Sequence, residues 1–247
     1  VTSSSSPGRA SGPIIEISEL SKDYRGLRPL RIQRFNLGAG DRSALLGVDQ
    51  PMAETFVNLV TGAVLPERGE VKVLGRSTAS IDNAADWLAL ADRFGIVSER
   101  AVLLDAFSAM QNLVMPFTLE IDPPPAGIRD RAGSLADEVG LARANWERPV
   151  GDLDAASRLR IRLARALALD PPILLLDHAS AGLPAASAIA FGQHVREVAQ
   201  RRGCALVALT ADRTFAEAVA ARVLTLDPAT GRLAERRRFF ARLLGGT

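Results

Sequence analysis

The sequence predicts an α/β protein on a mostly parallel sheet core, with a helical region inserted between the halves of that sheet. PPILLLDH (171–178) is a continuous apolar run closed by an acid, the kind of strand that a parallel sheet buries on both faces. Strands and helices alternate through the C-terminal half, the order that a parallel core requires. Residues 102–169 are mostly helical in pattern, broken at IDPPPAG (121–127), where the prolines forbid a regular helix.

The first thirteen residues, VTSSSSPGRASGP, are small and polar, and read as a disordered tail rather than a signal peptide. One domain is expected over 14–247, with its helical part at about 99–169. IIEIS (14–18) alternates well enough for a strand, and SALLG (43–47) is a buried strand that ends at a glycine. AETFVNLVTG (53–62) reads as a helix with Phe56, Leu59 and Val60 on one face and Gly62 at its C-terminal cap. Pro66 and Gly69 mark a turn before the strand EVKVL, and FGIVS (94–98) is another strand. After 171–178 come helix 185–201, strand ALVALT (205–210), helix 213–221 and strand RVLTLD (222–227). RLAERRRFFARLL (232–244) reads as an arginine-rich helix with Phe239, Phe240, Leu243 and Leu244. It would dock on the domain, lie on anionic lipid or contact a partner.

The 247 residues are 47% hydrophobic and 23% charged, enough to fill a core. A net charge of +2 gives no broad field for nucleic acid, which is not expected as a partner. The lone cysteine, Cys204, excludes a disulfide framework, fits a reducing compartment and reads as a small core residue. His178 and His194 leave little room for a histidine metal centre. No apolar run approaches the roughly 18 residues that a membrane span needs. A cytoplasmic protein is expected, held peripherally on the membrane through a partner.

LLGVDQPMAETF (45–56) has the setting of a phosphate loop: a strand, a glycine, a short loop, then a helix. On the pattern G-x-x-x-x-G-K-[ST], Gly47 keeps the first glycine, while Met52, Ala53 and Glu54 replace the second glycine, the lysine and the hydroxyl. The only lysines, Lys22 and Lys72, lie elsewhere. Gln50 and Met52 in place of glycines predict a strained loop backbone. Without the lysine the stretch also reads as an ordinary strand–turn–helix. A carboxylate can bind magnesium, so Glu54 has two readings: a metal ligand, or a negative charge aimed at a triphosphate.

From residue 14 to about 235 the order of segments resembles the ATP-binding subunit of ABC transporters. RLRIRLARALALDPPILLLDHASAGL (158–183) is similar to the helix after that family's signature motif, its Walker B strand and its D-loop. LPERGEVKVLG matches the turn and strand after the family's first helix. LLDAFSAMQNLVMPFTL (103–119) is similar to the segment after the Q-loop in lipoprotein-releasing and macrolide-export types. The resemblance implies a P-loop NTPase-like ABC ATPase fold, with N-terminal antiparallel strands, a mostly parallel sheet core and an inserted helical subdomain. It puts Tyr24 at the adenine-stacking position and Gly47, Val48, Asp49, Gln50, Pro51, Met52, Ala53, Glu54 and Thr55 along the phosphate loop. Asp177 takes the Walker B aspartate, His178 the general-base glutamate, Glu99 the Q-loop glutamine and Ala211 the H-loop histidine. Pro184 stands for the D-loop aspartate, and Leu153-Asp154-Ala155-Ala156-Ser157 for the signature, with Asp154 expected to face a partner's nucleotide.

ATP and Mg are the implied cofactors, with Asp177 and Glu54 as candidate magnesium ligands, but the substitutions remove most of the groups that grip them. The implied partners are a membrane permease, whose coupling helix would dock beside the Q-loop segment, and a second ATP-binding subunit, alike or different. The reading that results is a catalytically degenerate subunit that supports or regulates transport. One alternative is an active ATPase using Arg100 or a neighbouring arginine for phosphate and His178 as base. The other is a soluble sensor of a nucleotide or partner.

Overall fold

The computed structural model describes residues 12–235. The polar tail, up to residue 11, and the chain after Glu235 lie outside those residues. Strands β1 (Ile15–Lys22) and β2 (Leu30–Leu37) form an antiparallel pair, followed by β3 (Arg42–Leu46) and helix α1 (Gln50–Val60). Next come β4 (Arg68–Val73), β5 (Arg76–Ser77), α2 (Ala84–Ala91) and β6 (Phe94–Ser98). The helical region contributes α3 (Ala109–Val114), α4 (Ala126–Glu138) and α5 (Ala155–Leu167). The chain then returns to the sheet as β7 (Ile173–Asp177), α6 (Ala185–Arg202), β8 (Ala205–Thr210), α7 (Arg213–Val219), β9 (Arg222–Leu226) and β10 (Leu233–Glu235).

Two sheets result. The antiparallel one has the order β2-β1-β4-β5, and the main one β10-β9-β3-β8-β7-β6, parallel except for β10. Both faces of the parallel strands are buried, as their unbroken apolar sequence requires. Alternate residues divide between two cores. Ile173, Leu175, Val207 and Leu209 pack with α1 and the antiparallel sheet, whereas Leu174, Leu176, Leu206 and Ala208 pack with the helical region, α6 and α7. Helix α1 is thus clamped between sheets, with Phe56, Leu59 and Val60 fully buried. Gly62, at φ +72°, ends it.

The chain departs from expectation at its C-terminal side. Residues 233–235, read as the start of an arginine-rich helix, form β10 and pair antiparallel with β9. Gly231, at φ +75°, and the hydrogen bond from Gly231 N to Asp227 O turn the chain back against the sheet edge, and ladder hydrogen bonds prevail over helical periodicity there. Phe239, Phe240, Leu243 and Leu244 lie outside the described residues. Among the described residues no helix is long and apolar enough to cross a membrane.

Candidate functional site

Strands β3, β6 and β7 end at the same edge of the parallel sheet, where α/β proteins hold ligands. The loop from β3 is shorter than the phosphate-loop pattern suggests. Only Gly47, Val48 and Asp49 lie between β3 and α1, because Gln50, Pro51 and Met52 are already helical. Asp49 is the N-cap, its carboxylate accepting from Met52 N at 2.8 Å, and Pro51 sits in the first turn, where its missing N–H costs nothing. The strain expected at Gln50 and Met52 is absent: neither has positive φ, and only Gly47 does, at +86°. Gln50, Pro51 and Met52 are compatible with a helix, and the chain winds into α1 from Gln50.

That winding engages three backbone donors around the loop, N–H groups of the kind that face an anion in a phosphate cradle. Gly47 N donates to Thr210 O, Ala53 N donates to Asp49 O, Met52 N donates to the Asp49 carboxylate, and Pro51 has no N–H. Ala53, which the resemblance puts at the lysine position, is fully buried, and the Thr55 hydroxyl donates back to Pro51 O at 2.8 Å. Val48 is buried in the core of the α1 layer.

The parallel register pairs Ser98 with Asp177, setting the end of β6 against the end of β7. Two residues on, Arg100 reaches across. Its Nη2 lies 2.7 Å from Asp177 Oδ2, and its Nη1 pairs with Glu54 Oε1 on α1. The Ser98 hydroxyl donates to the same Asp177 oxygen at 3.0 Å and accepts from Arg100 N at 3.2 Å. Asp177 is almost fully buried, and its Oδ1 has no hydrogen-bond partner. A guanidinium therefore stands between the two carboxylates named as candidate magnesium ligands. Glu54 is paired with Arg100, and Arg100 is shared between Glu54 and Asp177. Attraction between opposite charges about 4 Å apart is on the order of 4 kcal/mol at an effective dielectric near 20, before the cost of desolvation.

The remaining positions are distributed around this bridge. Tyr24 is half-buried against the α1 core, with its ring folded over Gly26. Burial, and secondarily the Asp49 charge, push its phenol above the usual tyrosine range. His178 has φ +48° and a buried Nε2 with no hydrogen-bond partner. Ala211 is exposed in the turn after β8. Among the described residues no group of three or more His, Cys, Asp or Glu side chains is arranged to hold a metal ion.

The signature residues sit elsewhere, at the start of α5. Asp154 is exposed there. It caps its own helix, accepting from Ser157 N at 2.6 Å, and that hydrogen bond is the main reason its carboxyl is held below the usual range. Leu153 and Ser157 are buried, Ala155 is exposed and Ala156 half-buried. Glu99, Ala155, Arg158, Arg162 and Ala181 line one cleft, so the Q-loop position faces the signature helix and the segment before Pro184.

A second groove, of about 370 Å³, opens where the helical region meets β6, the edge strand of the main sheet. Phe94 and Ile96 form one wall, Met115 and Pro116 another, and Arg162, Arg165 and Leu169 a third. Gly95 brings the walls together: a Cβ there would sit 2.3 Å from Ala166 O on α5. Asn112, fully buried, pins the loop before α3 by accepting from Leu104 N and donating to the carbonyls of Leu104 and Ser108. Met115 lines this groove. Phe107, from the same proposed docking segment, does not: it is half-buried, its carbonyl accepting from Val150 N.

Sequence reasoning missed the capping roles of Asp49 and Asp154, the bridging role of Arg100, and Arg162 with Arg165. The caps had a local signal, an aspartate ahead of each helix, with a proline following at Asp49. The arginines had a weaker one, the interleaving of Arg and apolar residues in RLRIRLAR (158–165).

Residues 33–181 match the family described as ABC transporter. The chain is 31% identical over 201 residues to the lipoprotein-releasing system ATP-binding protein LolD of Chromohalobacter salexigens, covering 81% of this chain and 83% of that protein. To LolD of Coxiella burnetii it is 27% identical over 219 residues, covering 87% and 93%. Its fold is similar to that of cbiO1 from Clostridium perfringens, part of the ABC transporter complex cbiONQ, with a TM-score of 0.76 at 21% identity, covering 91% of this chain and 88% of that one.

Proposed function

We propose that this chain, which belongs to the ABC transporter family, is an ATP-binding-type subunit that docks on a membrane permease and supports or regulates transport with little or no ATP hydrolysis of its own. The observation that carries this reading is the Arg100 bridge between Glu54 and Asp177. The family's chemistry asks that end of the sheet to hold a polyanion and a divalent cation. Here one resident cation already neutralises the carboxylates. The Asp49 carboxylate caps the helix whose N-terminus would attract phosphate, and no lysine is at hand. As arranged, these residues do not fit ATP with magnesium. A triphosphate would meet the Asp49 charge without a compensating side chain, and like charges about 4 Å apart repel by on the order of 4 kcal/mol.

Docking is supported by the groove at the β6 edge, where apolar walls stand open beside the segment similar to lipoprotein-releasing ATPases. On this reading residues 14–247 act as one cytoplasmic unit, paired with a second ATP-binding subunit and held on the membrane by the permease. The test is twofold. The purified chain should neither hydrolyse ATP nor bind it at millimolar concentration with magnesium, and it should copurify from its native membrane with an integral membrane subunit. Turnover abolished by Asp177→Ala would overturn the degenerate reading and favour a working ATPase. A wholly soluble, unpartnered chain would overturn the permease reading.

A further inference from the structure

Arg162 and Arg165 lie one turn apart on α5, and both are half-buried in the wall of the β6 groove. Each makes a single hydrogen bond among the described residues: Arg162 Nε donates to Ala101 O at 3.2 Å and Arg165 Nη1 to Val102 O at 2.7 Å. Neither has a carboxylate within salt-bridge distance among the described residues. A guanidinium carries several more N–H donors than these bonds use, in a fork that matches a carboxylate. Burial disfavours both charges, and Arg162 adds repulsion to Arg165. Glu99 and Asp105 only partly offset this at Arg162, and no acid is a resolved influence on Arg165. Two like charges held close in a partly dry wall, with most donors idle, are an arrangement that an incoming anion relieves.

The surroundings limit what that anion belongs to. Phe94, Ile96, Met115 and Leu169 make the rest of the wall apolar. Val102, whose carbonyl holds Arg165, is 71% exposed, and Leu169 is 56% exposed. An apolar segment that carries one carboxylate satisfies both parts, whereas a small soluble anion would leave the apolar walls in water.

We infer that the β6 groove binds an apolar segment of the membrane partner through a carboxylate seated between Arg162 and Arg165. This rests on the permease reading above and names the chemistry that the partner must present. Selectivity among possible partners then resides in that acid, because one lacking it would leave both guanidiniums desolvated and unpaired.

The experiment uses the full chain coexpressed with the membrane subunit that copurifies with the wild type. Arg162→Gln/Arg165→Gln should weaken association by about 30-fold or more, as expected for a desolvated charge pair losing one partner. Arg162→Lys/Arg165→Lys, which keeps the charge, should retain most of it. Thermal unfolding checks that each variant folds, and Lys72→Glu, on β4 of the antiparallel sheet and outside the groove lining, serves as a surface control. Scanning the subunit's cytoplasmic Asp and Glu residues to Arg should find one that restores binding to Arg162→Glu/Arg165→Glu. Equal association of the wild-type and the folded Gln variants overturns the proposal while leaving the permease reading intact. A wild type that associates with no subunit defeats the permease reading itself. Binding of the isolated wild type, but not the Gln variant, to phosphatidylcholine vesicles containing phosphatidylglycerol would assign the arginines to lipid headgroups and also overturn it.

Discussion

Arg100 reaches from the end of β6 to carboxylates on two other elements, so its loss is felt at both. Arg100→Ala would leave the buried Asp177 without a counter-charge. Because the Arg100 side chain is 38% exposed, the expected cost is about 2 kcal/mol, below the range for a fully buried pair. Asp177→Asn in the same chain should recover much of that loss, because the neutral amide no longer needs the cation. Urea unfolding of the two single variants and the double variant measures the coupling. Additive losses would mean that the bridge contributes nothing to stability. Arginine at position 100 is plain in the sequence, but its partners are not. Glu54 and Asp177 are far away along the chain, and only the β6–β7 register and the packing of α1 bring them together.

At the scale of elements, aspartates occupy the N-termini of α1 and α5, the two helices that the family resemblance assigns to phosphate. Asp49→Ala and Asp154→Ala should each cost about 1 kcal/mol, the usual loss for an N-cap. The α5 cap also predicts a response to acid. Its hydrogen bond from Ser157 N holds the Asp154 carboxyl below the usual range, and the Arg202 hydrogen bond does the same for Glu138 at the end of α4. Both groups are depressed in the folded state, so the unfolded chain takes up protons first as pH falls. The stability they contribute is complete above about pH 4.5 and is lost as pH drops through their lowered folded values. Comparing urea midpoints near about pH 6 and about pH 3 should show a loss that shrinks in Asp154→Asn. That variant keeps an oxygen for Ser157 N and does not titrate. An unchanged pH response in Asp154→Asn would show that the cap carries none of it.

For the whole molecule, the signature helix and the β6 groove make separable predictions. In the family resemblance a partner's phosphate loop faces the signature segment, here Asp154, Ala155 and Ala156. Pairing this chain with an intact ATPase should therefore give low turnover. Substituting these residues by Ser, Gly and Gly should raise it, with serine still able to cap α5. Full activity of the unmodified pair, unaltered by that triple change, would contradict the assignment of the signature. In the groove, Met115→Asp should weaken membrane association by placing a charge on an apolar wall, although the nearby arginines offset part of the effect. Phe107→Asp should act mainly on stability, since Phe107 is half-buried outside the groove.

The sequence by itself determined the architecture. Unbroken apolar strands such as ILLLD (173–177), punctuation by Gly62 and Gly69, and the proline break before α4 are local signals, and each acts within a few residues of where it is written. The residues at the positions that the family resemblance assigns to the lysine, the glutamine and the signature glycines were equally legible, because a residue's identity needs no fold to be read. Tertiary structure alone decided what surrounds them. Whether Glu54 faces a ligand or an arginine, whether Arg162 and Arg165 have counter-charges, and whether residues after Arg232 continue as helix or add a strand all depend on neighbours distant in the chain. Strand register and helix packing fix those neighbours cooperatively, and charge pairing follows the resulting distances rather than the order of the residues.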